Sequence, residues 1–188
     1  MAVEAADNAL ITVTEIKDWL KLSGSDDDDF LQRAINDWSD TIEKRLGRVI
    51  ISTEHTDERH DGGKIAVLLK NIPVTEISSV SVDGAALGLS DCTVDQDSGI
   101  LRLVSGKAFN GGPGSILVAY TGGYETVPGD LVRCVKQIVA LEYYLSGHGR
   151  KALAKRGEST GEGTATYERG PEDQEKIMMR LERLYARR

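Results

Sequence analysis

The sequence lacks several features that would point to a particular chemistry or compartment. Only two of its 188 residues are cysteines, Cys92 and Cys134, and neither has the paired spacing of a disulfide framework or a zinc site. No apolar run approaches the roughly 18 residues that a membrane span needs. No cationic start followed by an apolar block marks a secretion signal. These absences predict a reduced, intracellular protein with no membrane partner.

Charge is the next informative property, because it is unevenly distributed. The formal net charge is −7. Residues 1–145 contain 13 Lys and Arg against 23 Asp and Glu, whereas residues 146–188 contain 10 against 7. An acidic body repels phosphate, which argues against a protein that wraps tightly around nucleic acid. The basic C-terminal part predicts a segment that reaches for an acidic partner.

Helical signals dominate the beginning of the chain. Thr12, with Glu15 three residues later, predicts a capping box at the start of a short helix. After an acidic turn at residues 26–29, apolar residues recur at helical spacing until Gly47, which predicts an amphipathic helix of about 18 residues. The recurring residues are Leu31, Ala34, Ile35, Trp38, Ile42 and Leu46.

The middle of the chain consists of short β-type segments separated by turn residues. Turns such as Asp83-Gly84 follow these segments closely, and connections this short favour antiparallel pairing. Gly122 and Gly123 permit the positive φ that ends the last strand tightly, and Pro128 suits the start of the next helix. The predicted strands are residues 49–53, 65–69, 77–82, 92–94, 100–104 and 115–121.

The C-terminal part combines a glycine-rich stretch with a last amphipathic helix. Residues 146–170 are rich in glycine and charge and poor in apolar residues, which predicts flexibility. Pro171 opens a helix whose apolar stripe is Ile177, Leu181, Leu184 and Tyr185. The residues leave two possibilities open: this stripe binds a partner, or it packs back on its own domain.

These signals together predict an α+β fold, in which a helical bundle carries an inserted antiparallel β domain. The predicted organisation is an N-terminal helical part at 1–48, a β-rich insertion at 49–121, a core helix at 122–146 that completes the bundle, and a flexible arm with a C-terminal helix at 147–188.

Residues that could support catalysis are scarce. The densest group of possible metal ligands is "HTDERHD", yet the spacing of His55 and His60 does not place both on one helix face, and we interpret the segment as a solvated hairpin turn. The acidic residues 26–29 and 95–99 lack the pattern of a calcium-binding loop. The glycines of 110–115 lack the Lys and Ser/Thr of a phosphate loop. The sequence therefore predicts no enzyme, no metal and no cofactor.

Three stretches carry a resemblance when they are taken in order. Residues 10–50 give a short helix, an acidic turn and a long helix ending in Leu-Gly-Arg; residues 68–84 give a strand, a Pro-Val turn and a strand. Residues 116–144 add a Tyr-Thr-Gly-Gly-Tyr junction, a proline and a closing helix. Together they resemble the head–tail connector proteins of tailed bacteriophages, also called adaptor or head-completion proteins, and the related adaptor of gene transfer agents.

The resemblance implies a structural virion protein at the head–tail interface, present in the host cytoplasm during assembly. It implies a ring, usually a dodecamer, that docks below the portal protein, extends the DNA channel without sequence-specific binding and meets a stopper or tail-completion protein. A monomeric β-rich binding module and a metal-dependent hydrolase at His55 and His60 are the alternatives. The residues predicted to grip the portal are Arg150, Lys151, Lys155, Arg156, Ile177, Leu181, Leu184 and Tyr185.

Overall fold

The computed structural model describes residues 2–149 and 171–185, and the chain divides into two compact units. The unit Arg48–Val127 contains all the strands of the described chain and is called the β unit. Met1–Gly47 and Pro128–Arg188 together form the second unit, whose elements are helices, and it is called the helical unit. The α+β class and its antiparallel sheets are confirmed. No helix in the described ranges has the length and apolar character to cross a membrane.

The helical unit is organised around a central helix. Helix α3 packs against the three others, and α2 also contacts α1 and α4. Fully buried side chains such as Ile16, Ile35 and Ile138 fill the interior between them. The helices are α1 (Val13–Leu20), α2 (Asp28–Leu46), α3 (Gly129–Leu145) and α4 (Pro171–Tyr185).

The local signals at the helix ends act as predicted. Thr12 Oγ1 accepts a hydrogen bond from the Glu15 amide at 3.2 Å, and the Thr12 amide donates to the Glu15 carboxylate at 2.9 Å. This reciprocal pair satisfies two amides that have no partner inside the helix. At the C-terminal end of α2, Gly47 takes a φ of 67°, a left-handed conformation that glycine adopts without strain.

The β unit contains two antiparallel sheets with one apolar core. The first has the strand order β1-β7-β3-β4 and the second has the order β2-β6-β5. Buried residues from both sheets, among them Val67, Val80, Leu101 and Val118, form one cluster that also contains Phe109. The strands are β1 (Thr53–His60), β2 (Ala66–Leu68), β3 (Val74–Val82), β4 (Ala85–Leu87), β5 (Cys92–Asp95), β6 (Ile100–Leu103) and β7 (Ile116–Gly122).

The predictions made for residues 49–61 need correction. The predicted strand at 49–53 and the predicted solvated turn in "HTDERHD" are both wrong, because β1 runs through Thr53–His60 and pairs along its length with β7. Polar residues suit this position because β1 is an edge strand, where charge opposes pairing with other chains. The short strand β4 was not predicted; it follows the Asp83-Gly84 turn and pairs with the end of β3.

Candidate assembly surfaces

The C-terminal helix α4 is held against its own unit by ionic and polar contacts. Arg45 of α2 makes a two-pronged contact with the carboxylate of Glu175, at 2.8 and 2.9 Å, and a third contact with Glu182 at 3.2 Å. The Tyr185 hydroxyl donates to Asp130 in the first turn of α3. The hydrogen bond from Arg45 lowers the pKa of Glu175. These contacts attach α4 to both α2 and α3.

The structure separates the apolar residues that were predicted to grip the portal. Leu181 is fully buried in the helical unit, together with its neighbour Met178, whereas Leu184 is 55% exposed. Ile177 and Tyr185 are half-buried. One side of α4 therefore packs and another faces outward. The four basic residues of the same prediction, Arg150, Lys151, Lys155 and Arg156, lie outside the described residues.

A cluster that sequence reasoning missed joins the end of α3 to the start of α2. The carboxylate of Asp27 accepts hydrogen bonds from the Tyr143 hydroxyl at 2.8 Å and from His148 Nδ1 at 2.7 Å. The His148 ring stacks on Phe30 with ring centres 4.8 Å apart. His148 lies in the segment predicted to be flexible, yet these partners hold it in place. No local pattern could reveal contacts between residues more than 100 positions apart.

A bulge in β1 gathers titratable side chains on one face of the first sheet. His55 pairs with Tyr120 and Glu58 pairs with Val118, so three residue steps on β1 span two on β7. The extra residue shifts the alternation, which places His55, Glu58 and His60 on the same face as Tyr120. The Glu58 carboxylate, with its side chain only 8% exposed, contacts three groups there. They are the Tyr120 hydroxyl at 2.6 Å, His60 Nε2 at 2.8 Å and the Lys70 amide at 2.9 Å.

This cluster is arranged to stabilise the fold. Burial alone would raise the pKa of Glu58, but the hydrogen bonds from His60, Tyr120 and the Lys70 amide lower it below its ordinary value. Burial and the neighbouring Glu58 raise the pKa of Tyr120 to about 12. Within the ranges that the structure describes, no group of three or more His, Cys, Asp and Glu side chains is placed to hold a metal ion. The cluster joins the loop after β2 to β1 and β7.

Removing the Tyr120 hydroxyl is expected to make the free energy of unfolding decrease less as the pH rises into the alkaline range. The folded-state pKa lies above the unfolded value, so the stability this group contributes is complete below pH 10 and is lost as pH rises towards about 12. Tyr120→Phe should be less stable than the natural chain at neutral pH and should lose less stability across that window. Thermal melting followed by circular dichroism at several pH values measures both, with the half-exposed Tyr144→Phe as control. Parallel profiles for Tyr120→Phe and the natural chain would contradict the pKa assignment.

The two glycines after Tyr120 act for different physical reasons. Gly123 has a φ of +111°, which confirms the predicted positive φ, and a Cβ there would lie 2.6 Å from the Ile51 carbonyl oxygen. Gly122 has no positive φ, contrary to the prediction; it is required because a Cβ would lie 2.4 Å from the Asn71 carbonyl oxygen. The junction is therefore a place of close backbone packing inside the β unit, and its role is structural.

The chain is similar to known proteins in both sequence and fold. The sequence model of the family described as "Head completion protein" matches residues 9–177. A chain from "Neck of native GTA particle computed with C12 symmetry" has a TM-score of 0.55 at 18% identity, with 96% of this chain and 93% of that chain covered. A chain from "Virion of native gene transfer agent (GTA) particle" has a TM-score of 0.54 at 20% identity, with the same coverage.

A third solved chain, from "Neck of empty GTA particle computed with C6 symmetry", has a TM-score of 0.54 at 18% identity, again with 96% and 93% coverage. At these identities the likeness establishes the fold alone. The comparison with curated proteins found no match. The family match and the shared fold both extend over most of the chain, across the helical unit and the β unit alike.

Proposed function

This chain belongs to the head completion protein family and is a structural virion protein of the head–tail interface, and from that premise we propose that its copies form a ring below the portal. The ring extends the DNA channel and joins the capsid to a stopper or tail protein. The observation that carries the proposal is the family match over residues 9–177, which includes the β unit, helices α1 to α3 and the first seven residues of α4. The prediction of twelve copies is part of this proposal.

The charge of the chain supports a passage through which DNA moves without being held. Each copy contributes a formal charge of −7, and copies arranged around a channel would add these charges. Negative charge near passing phosphates opposes adhesion, since nucleic-acid affinity arises mainly from cations that displace counterions. We therefore place no sequence-specific DNA contact in the β unit or in the helical unit.

The division of α4 into a buried side and an exposed side refines the proposed portal contact. Leu181 and Met178 hold the helix to its own unit, so they are not available to another protein in this conformation. Leu184 and Met179 are more than half exposed and form the apolar part of the proposed contact. Ile177 and Tyr185 lie at its margin. The basic residues Arg150, Lys151, Lys155 and Arg156 supply the charged part, which suits an acidic portal surface.

A charge placed on the exposed side of α4 is expected to weaken portal binding while leaving the fold intact. Leu184→Glu introduces a carboxylate into an apolar contact, and the loss of such a contact costs roughly tenfold or more in affinity. A pull-down with purified portal measures it, with Val104→Glu as a matched control on the exposed surface of the β unit. Undiminished binding by Leu184→Glu would remove α4 from the portal interface.

The ring itself needs a separate test. Electron microscopy of the protein mixed with portal should show a closed ring of this chain on the portal, whereas a monomeric binding module would remain a single copy. Light scattering after size exclusion, with and without portal, gives the same distinction in solution. Persistent monomers in the presence of portal, together with no density beneath it, would contradict the proposed assembly.

A further inference from the structure

The second sheet of the β unit has an open strand at each edge. Its order is β2-β6-β5, and in the β unit, every residue of which is described, no strand pairs with the outer side of β2 or of β5. Both strands are antiparallel to β6 and therefore run in the same direction. Such edges carry backbone N–H and C=O groups with which a strand of another chain can pair.

Exposed apolar side chains are concentrated at this sheet. The β unit exposes four large ones, and Val104, which follows the central strand β6, is the only one that belongs to neither edge. Ile65, which precedes β2, is 61% exposed, and Leu68 in β2 is 48% exposed. Leu89, three residues before β5, is 48% exposed. Grouped apolar side chains of this kind mark surfaces against which another protein packs.

The two edges carry charges of opposite sign. Residues 62–72, around β2, include two lysines and no Asp or Glu, whereas residues 88–99, around β5, include three aspartates and no Lys or Arg. The charged side chains that flank the two strands are all exposed; they are Lys64, Lys70, Asp91 and Asp97. Asp61 approaches Lys64 only to 3.9 Å, which is beyond hydrogen-bond distance. The β2 edge is therefore cationic and the β5 edge anionic, which makes the edges of two copies complementary.

The charges are also placed alike along the two strands. Arg102 of β6 pairs with Ala66 of β2 on one side and with Thr93 of β5 on the other, so positions 66 and 93 lie in one row of the sheet. The lysines stand two positions before and four positions after position 66. Two of the aspartates stand two positions before and four positions after position 93. A contact that continues the rows from one copy to another therefore brings each lysine beside an aspartate.

We propose that neighbouring copies in the ring are joined by parallel pairing of β5 of one copy with β2 of the next. This inference rests on the ring proposed above and identifies its contact surface. Continued rows place Lys64 beside Asp91 and Lys70 beside Asp97, and the apolar side chains of the β2 edge lie between these two pairs. Because the contact joins two different edges, it is head-to-tail, and repeated rotation closes it into a ring. In a ring of twelve the rotation is about 30° per copy, so equivalent strands keep nearly the same direction.

The shortness of the two edges makes this contact depend on the assembly. Strand β2 has three residues and β5 has four, so two free copies gain few backbone hydrogen bonds from pairing. When the portal holds copies side by side, each contact forms at a high effective concentration. Because the flanking charges are exposed, we expect ring formation to weaken as the salt concentration rises.

Disulfide trapping of rings assembled on the portal tests the paired strands. The variant carries Ala66→Cys and Thr93→Cys in a Cys92→Ser background, and the remaining cysteine, Cys134, is buried. Within one chain, positions 66 and 93 are two strand spacings apart, roughly 10 Å, whereas a disulfide spans at most about 7 Å between Cα atoms. Oxidation should therefore link only different copies and should give a ladder of cross-linked species on a non-reducing gel.

A cysteine on the other sheet provides the matched control. Ala86→Cys combined with Thr93→Cys, in the same background, should give no ladder, because Ala86 is exposed but lies on β4 of the first sheet. A ring seen by electron microscopy without the ladder would overturn the proposed contact and leave the proposed ring standing. Absence of any ring would overturn both. A ladder that stops at the dimer would contradict head-to-tail pairing.

Charge reversal at the two edges tests their complementarity. One variant carries Lys64→Glu and Lys70→Glu, and the other carries Asp91→Lys and Asp97→Lys. Each variant alone places like charges in every contact, so the number of rings on portal, counted by electron microscopy, should fall roughly tenfold or more. An equimolar mixture should restore the rings, because alternating copies join opposite charges at every contact and twelve is an even number. Natural ring numbers from either variant alone, or no restoration by variants whose circular dichroism is unchanged, would refute the pairing.

Discussion

Replacing Gly123 by alanine is expected to destabilise the β unit by about 2–4 kcal/mol, the range for a strained backbone combined with a backbone clash. The φ of +111° lies where a side chain is strongly disfavoured, and a Cβ would approach the Ile51 carbonyl oxygen to 2.6 Å and the Ile50 carbonyl oxygen to 2.9 Å. Neither oxygen can move easily, because Ile50 already accepts a hydrogen bond from the Tyr124 amide at 2.7 Å and Ile51 accepts one from the Thr53 hydroxyl at 3.0 Å.

Gly129 provides a matched control for this substitution. It begins α3, has no positive φ, and a Cβ there would meet no atom within 4 Å. Gly129→Ala should therefore be neutral or should stabilise by about 0.4–1 kcal/mol, because alanine restricts the unfolded chain. Urea denaturation followed by circular dichroism measures both changes in the free energy of unfolding. Similar values for the two variants would show that the backbone around residue 123 yields to a side chain.

Leu181→Ala is expected to cost about 2–5 kcal/mol, the usual loss for truncating a buried leucine. Leu181 has no exposed surface and lies on the side of α4 that also buries Met178. Leu184→Ala, one turn further along the same helix, should change the free energy of unfolding by less than about 0.5 kcal/mol because its side chain is exposed. Thermal melting and hydrogen exchange of the α4 amides distinguish the two. Equal and small effects would mean that α4 does not pack on its own unit.

The helices could be predicted well because their signals are local. The capping box at Thr12 and the left-handed glycine at position 47 each act within a few residues, so the boundaries of α1 and α2 follow from short patterns. Strand β1 was misread because its position depends on distant partners. Its polar residues lie at a sheet edge, and the bulge between His55 and Glu58 arises from pairing with β7, about 60 positions away.

The surfaces of the helical unit were only partly predictable, for a related reason. The sequence identifies an apolar stripe on α4, but it does not say which part of the stripe packs on the same chain. Within that stripe Leu181 is buried whereas Leu184 faces outward, and Met178, which the predicted stripe did not include, is buried as well. The contacts of Asp27 with Tyr143 and His148 are formed between residues more than 100 positions apart. Folding alone brings such groups together, so periodicity and spacing carry no trace of them.

The order in which the two units occur along the chain has a consequence for biosynthesis. The β unit is one continuous stretch, Arg48–Val127, whereas the helical unit is assembled from stretches on both sides of it. Domains generally fold as units while the ribosome is still adding residues. The β unit can therefore acquire its structure as soon as it leaves the exit tunnel, but α1 and α2 must wait for α3 and α4. During that delay the apolar sides of the first two helices are open to chaperones.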